Sequence, residues 1–100
     1  MFSYAKSMEI QHEDQGKKGE FYVEEDGKRV AKLQYFHSRE GEINAYHTEV
    51  DDSLAGKGIG KKLVAALAAY AREKNVKVHA TCTYAHKVMS ASDEYKNLLV

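Results

Sequence analysis

Two short pairs of side chains in this sequence can move a proton or carry an acyl group: His47 with Glu49, and Cys82 with Tyr84. Cys82 is the only cysteine in the chain. A thiol there could act as a nucleophile, give up a proton, or fill the core as free cysteines often do. Activation would need a cation or a helix N-terminus nearby, and His86 and Lys87 follow closely. An imidazole such as His47 can accept a proton near neutral pH or orient a carbonyl. Glu49 is the alternative base, acting directly or through water. Tyr84 could donate a proton, stack on a ligand or simply pack.

Between the two pairs lies "AGKGIGKK", with Gly56, Gly58 and Gly60 interleaved with Lys57, Ile59 and Lys61. An apolar helical pattern begins there. A helix N-terminus presents unpaired N–H groups and the positive end of the helix dipole. Glycines let a phosphate approach those amides without meeting Cβ atoms. A Walker-type loop does not fit, because no hydroxyl follows Gly60-Lys61-Lys62. A dinucleotide fingerprint does not fit either, since its third glycine falls on Lys61. His79, Cys82 and His86 have a spacing that hints at zinc, but strand parity turns His79 and Cys82 to opposite faces.

The elements that must position these residues follow from periodicity. Met8–Glu13, Gly19–Glu25, Lys28–His37 and Glu42–Val50 read as four strands, with Asp26-Gly27 as a hairpin turn. Parity places Ala31, Leu33 and Tyr35 on one face. It also groups His47 and Glu49 with Ile43 and Ala45. The period then lengthens, and Ile59, Leu63, Leu67 and Tyr70 form one helical stripe, closed by Asn75. Val76–Cys82 reads as a fifth strand, parallel to the fourth across a right-handed crossover. Tyr84–Leu99 reads as helical, broken near Ser90–Ser92. The expected fold class is α+β: four antiparallel strands, a crossover helix, a parallel fifth strand and a short helical tail, in one domain spanning residues 1–100.

Composition removes several function classes. Lys+Arg and Asp+Glu both count 15, so the formal net charge is zero, which argues against nucleic-acid and membrane-surface partners. No apolar run approaches the roughly 20 residues of a membrane-spanning helix. With one cysteine and no visible secretory signal, a reduced, cytoplasmic protein is the expectation.

The loop and its element order resemble the GNAT (Gcn5-related N-acetyltransferase) superfamily, whose pyrophosphate loop reads [QR]-x-x-G-x-[GA] after the fourth strand. Ala55 stands at the loop's start where that motif often carries Gln or Arg. The likeness is closer to the very small single-domain GNAT-like proteins. It is carried by His47-Thr48, Gly56 to Gly60, Cys82-Thr83-Tyr84 and Asp93-Glu94-Tyr95. The resemblance implies acetyl-CoA as cosubstrate and an amine acceptor, either a small molecule or a protein. It implies that the loop (Gly56, Lys57, Gly58, Ile59, Gly60, Lys61) holds the pyrophosphate. Backbone near Thr48, Glu49 and Val50 would hold the pantetheine arm, with Tyr84 nearby. Cys82, His47 and Glu49 are the candidate catalytic groups. Only Asp14–Lys18 stands where larger relatives have acceptor-shaping helices, so the acceptor side should be open or completed by a second subunit. A non-catalytic acyl-CoA-binding module of the same fold is the alternative.

Overall fold

The computed structural model describes residues 9–100. Five strands form one sheet in the order β1 (Gln11–Asp14), β2 (Lys18–Glu25), β3 (Lys28–Arg39), β4 (Glu42–Val50) and β5 (Lys77–Ala80). Neighbours run antiparallel except β4 and β5, which are parallel. The long helix α1 (Ile59–Lys74) makes the crossover between them. Two short helices follow, α2 (Thr83–Ser90) and α3 (Asp93–Lys96). The expected α+β architecture is therefore present. Of the first strand expected over Met8–Glu13, Met8 lies outside the described residues, Glu9 and Ile10 are not in the strand, and the strand runs one residue further, to Asp14. Among the described residues no helix is long and apolar enough to cross a membrane.

Alternation in the strands and the helical stripe in α1 build one core. Phe21, Val23, Ala31, Leu33, Tyr35, Ile43 and Ala45 point at Leu63, Val64, Leu67, Ala68 and Ala71, and all are buried. Asn75 ends α1 in the left-handed conformation (φ 57°, ψ 47°), where asparagine is tolerated. The opposite face of the sheet carries Glu20, Tyr22, Lys32 and Gln34, with Phe36 exposed.

Several boundaries shift by one to three residues from the sequence expectation, and two of the shifts change the packing. The fifth strand stops at Ala80 rather than Cys82, because Thr81 and Cys82 both turn their N–H groups onto the Ala45 carbonyl (3.0 Å each). The tail is helical only to Lys96. Its last residues return beside β5, where Leu99 bridges Val78 and the N–H of Val78 donates to the Leu98 carbonyl (2.8 Å). The expected break between the tail helices is present at Ala91-Ser92, and the Ser92 hydroxyl accepts from the Glu94 N–H (3.2 Å).

The end of the sheet remote from the glycine loop is closed by a polar cluster. The buried Tyr35 hydroxyl donates to Asp14 Oδ2 (2.7 Å), so the contact from His12 Nε2 (2.7 Å) must be a donation to the tyrosine oxygen. His37 Nε2 and the Tyr70 hydroxyl also reach Asp14 (2.9 and 3.3 Å). Gly19 is required here, because a Cβ would strike the Tyr35 ring and hydroxyl. Burial alone would raise the Asp14 pKa, but hydrogen bonds from Tyr35, His37 and the Gly16 N–H outweigh it and hold the carboxyl well below its usual range. Desolvation lowers the His12 pKa. Both folded values lie below the unfolded ones, so both contributions are present at high pH and lost as pH falls. Urea unfolding is expected to show stability falling first below about pH 6.5, as His12 titrates, and again below about pH 4, as Asp14 titrates. Asp14→Asn should shrink the second step markedly. A variant curve that keeps this step unchanged would exclude Asp14 as its source.

Candidate functional site

The site is built by an irregularity in β4. Tyr35 pairs with Ala45, yet Gln34 pairs with His47, so Tyr46 is an extra residue: a β-bulge. An inserted residue reverses the parity of everything after it. Before the bulge, Ile43 and Ala45 face α1. After it, Thr48 and Val50 take that face, while His47 and Glu49 turn to the open one.

This corrects the expected grouping of His47 and Glu49 with Ile43 and Ala45. His47 Nε2 lies 3.0 Å from Glu49 Oε2, and both side chains are solvent-exposed. Lys32, also on that face, comes within 3.9 Å of Glu49. The hydrogen bond from His47, then the Lys32 charge, lowers the Glu49 pKa.

The same stretch of β4 loses its neighbour. The β4–β5 ladder runs from Glu42↔Lys77 only as far as Ala45↔Ala80. Buried Asn44 helps fix the divergence, since its Oδ1 accepts from the Thr81 hydroxyl (2.7 Å). From Tyr46 to Val50 the edge of β4 that faces β5 has no partner strand. A cleft of about 390 Å³ opens beside it, lined by Thr48, Val50, Leu54, Ala55, Gly56, Gly58, Ile59, Gly60 and Tyr84. Seven of the expected cofactor-binding residues are thus brought together. Lys57 and Lys61 flank the loop without lining the cleft. Leu54 and Ala55 were not anticipated. They arrive through a 3-10 turn (Asp52–Leu54) capped by Asp51, whose carboxylate accepts from the Ser53 N–H (3.0 Å).

The loop is poorly suited to the helix it starts. Gly56 and Gly58 have positive φ (80° and 71°) and open space where a Cβ would sit. A Cβ on Gly60 would come within 2.6 Å of the Tyr84 hydroxyl oxygen, so any larger residue there would displace the Tyr84 ring. Gly58 is the N-cap of α1 and offers no side-chain cap, and the first turn holds no acidic residue. Among the described residues no backbone carbonyl accepts from the N–H groups of Gly58, Ile59, Gly60 or Lys61. Lysines there add positive charge at the positive end of the dipole, an arrangement that disfavours the helix unless an anion joins it.

Cys82 sits at the other end of the cleft. It is half-buried, forms the N-cap of α2, and its Sγ lies 3.3 Å from Thr48 Oγ1. Sequence reasoning gave Thr48 only a backbone role. Its side chain meets the thiol because the bulge turned it inward, and nothing in local periodicity signals that.

A sequence model of the family described as GCN5-related N-acetyl-transferase matches residues 20–98. Protein NATD1 of Xenopus tropicalis is 34% identical over 84 residues, covering 83% of this chain and 75% of that protein. Protein NATD1 of Gallus gallus is 35% identical over 79 residues, covering 78% of this chain and 72% of its own length. Among solved structures, a GCN5-like protein from Staphylococcus aureus superposes with a TM-score of 0.74 at 34% identity, covering 94% of this chain and 89% of that one. A ribosomal-protein-alanine N-acetyltransferase from Brucella melitensis shares the fold at 21% identity (TM-score 0.64; 77% of this chain, 62% of that one). The bulged β4, the divergent β5 and the glycine-started α1 lie within the matched span, and the chain belongs to the GCN5-related N-acetyltransferase family.

Proposed function

We propose that this protein binds acetyl-CoA in the cleft and transfers its acetyl group to an amine. The observation that carries the reading is the continuity of one cleft. It runs from unpaired N–H groups at the start of α1, along the free edge of β4, to Thr48 and the neighbouring thiol of Cys82. The residues fit the group. The N–H groups of Gly58 to Lys61 would hold a pyrophosphate, with Lys57 and Lys61 adding charge. The backbone of Tyr46–Val50 would bond an extended amide-bearing arm as a missing strand would. Acetyl-CoA supplies an activated acyl thioester. Cys82 and Tyr84 would give a proton where the thioester ends. The His47–Glu49 pair, on the open face, would take one from an amine arriving on that side.

A specific observation favours the second reading, a non-catalytic acyl-CoA-binding module: neither His47 nor Glu49 lines the cleft. Release of CoA thiol, followed with 5,5′-dithiobis(2-nitrobenzoate) across a panel of small amines and lysine peptides, separates the two. Amine-dependent release that Glu49→Gln lowers supports transfer. Calorimetric binding of acetyl-CoA with no release by any amine supports the module.

A further inference from the structure

The bulge at Tyr46 has a second consequence, on the open face of the sheet. Without the extra residue, the pairing of Tyr35 with Ala45 would continue to Lys32 against Thr48. With it, Lys32 stands directly opposite Glu49, and Gln34 opposite His47. Lys32 and Glu49 become a cross-strand pair of opposite charge. The Glu49 carboxylate is divided between two neighbours. Its Oε2 lies 3.0 Å from His47 Nε2, and its Oε1 lies 3.9 Å from Lys32 Nζ.

Building on the transfer reading above, we propose that Lys32 is a positioning residue for the reaction: it holds Glu49, and Glu49 holds the His47 ring with Nδ1 left to take the proton of the amine. The other charges of this face are already committed. Arg29 lies between Glu13 and Glu20 (2.9 and 2.7 Å) and over the Tyr22 ring, which stands opposite Lys32 on the other side. Among the described residues Lys32 has no ion-pair partner besides Glu49. The hydrogen bond from His47, then the Lys32 charge, keeps Glu49 ionised below the usual carboxylate range. An ionised carboxylate only accepts, so His47 Nε2 is the donor and Nδ1 carries the free lone pair. The amine proton passes to Nδ1 as the nitrogen bonds the acetyl carbon, and the electrons of the broken C–S bond leave with CoA. Glu49 then stabilises the imidazolium that has formed.

The test combines a ¹³C-carboxyl titration of Glu49 with turnover of the small amine or lysine peptide that the parent uses best. It compares the parent with Lys32→Met, which keeps the apolar stem and loses the charge, and with Lys32→Arg. An exposed pair contributes little to folding, so neither variant should disturb the domain. In Lys32→Met the Glu49 midpoint should rise, and kcat at neutral pH should fall by about fivefold with KM for acetyl-CoA unchanged. Lys32→Arg should restore both. A Glu49 midpoint that does not move, or full kcat in Lys32→Met, overturns the proposal. A parent that binds acetyl-CoA but transfers to no amine overturns the transfer reading and this proposal with it. That result is told apart from the others because the titration still reports the contact between Lys32 and Glu49.

Discussion

Gly58→Asp is expected to reduce acetyl-CoA affinity by at least about tenfold while leaving the fold intact. A residue at 58 must adopt φ 71°, which aspartate tolerates better than most. Nothing lies within 4 Å of a Cβ built there. The new carboxylate would sit at the N-cap of α1, against amides that have no protein acceptor. It would stabilise the helix dipole that the lysines now oppose, which offsets the backbone strain. A pyrophosphate would meet a like charge in place of open space. Replacing an attraction of about 1 kcal/mol with a repulsion of similar size accounts for the expected loss. The melting temperature should move by only a few degrees, since about 1 kcal/mol corresponds to roughly 4–8 °C in a domain of this size. Unchanged affinity in the folded variant would exclude the loop as the phosphate site.

Cys82→Ala is expected to lower turnover by about 100-fold, the usual scale for losing a group that moves a proton or carries the acyl chain. KM for acetyl-CoA should change little, because the thiol adjoins the cleft without lining it. The serine variant separates the two chemical roles. A proton donor replaced by a hydroxyl keeps a measurable rate, whereas a lost nucleophile leaves almost none. Intact-mass analysis after acetyl-CoA alone gives the same distinction, since only a nucleophile gains an acetyl group. If Cys82→Ala keeps full turnover, the thiol takes no part in the reaction and is simply a packed N-cap.

Much of the site could be read from the chain because its parts are local. Three glycines and their lysines at a change of period announce a helix start that lacks a cap. Asn75 announces where that helix ends, and alternation from Gly19 to Tyr35 gives the sheet its buried face. The bulge was not legible. Nothing in "NAYHTEV" distinguishes a regular strand from one carrying an extra residue. Only pairing with Gln34 and Tyr35 reveals Tyr46 as inserted. That single residue decides that Thr48 rather than His47 faces Cys82. The return of Leu98–Val100 to β5 was hidden for the same reason, because it depends on a hydrogen-bonding edge made by Val78, some twenty positions away.

Titration of the ¹⁵N-labelled protein with acetyl-CoA, followed by amide chemical shifts, tests the central claim most directly, because it locates the ligand residue by residue. The largest shifts should fall at Gly56, Gly58, Ile59, Gly60 and Lys61, along Tyr46 to Val50, and at Cys82 and Tyr84. The amides of Glu20, Tyr22 and Lys32, across the sheet, should move little. Shifts confined to that open face, or none at millimolar ligand, would contradict the account.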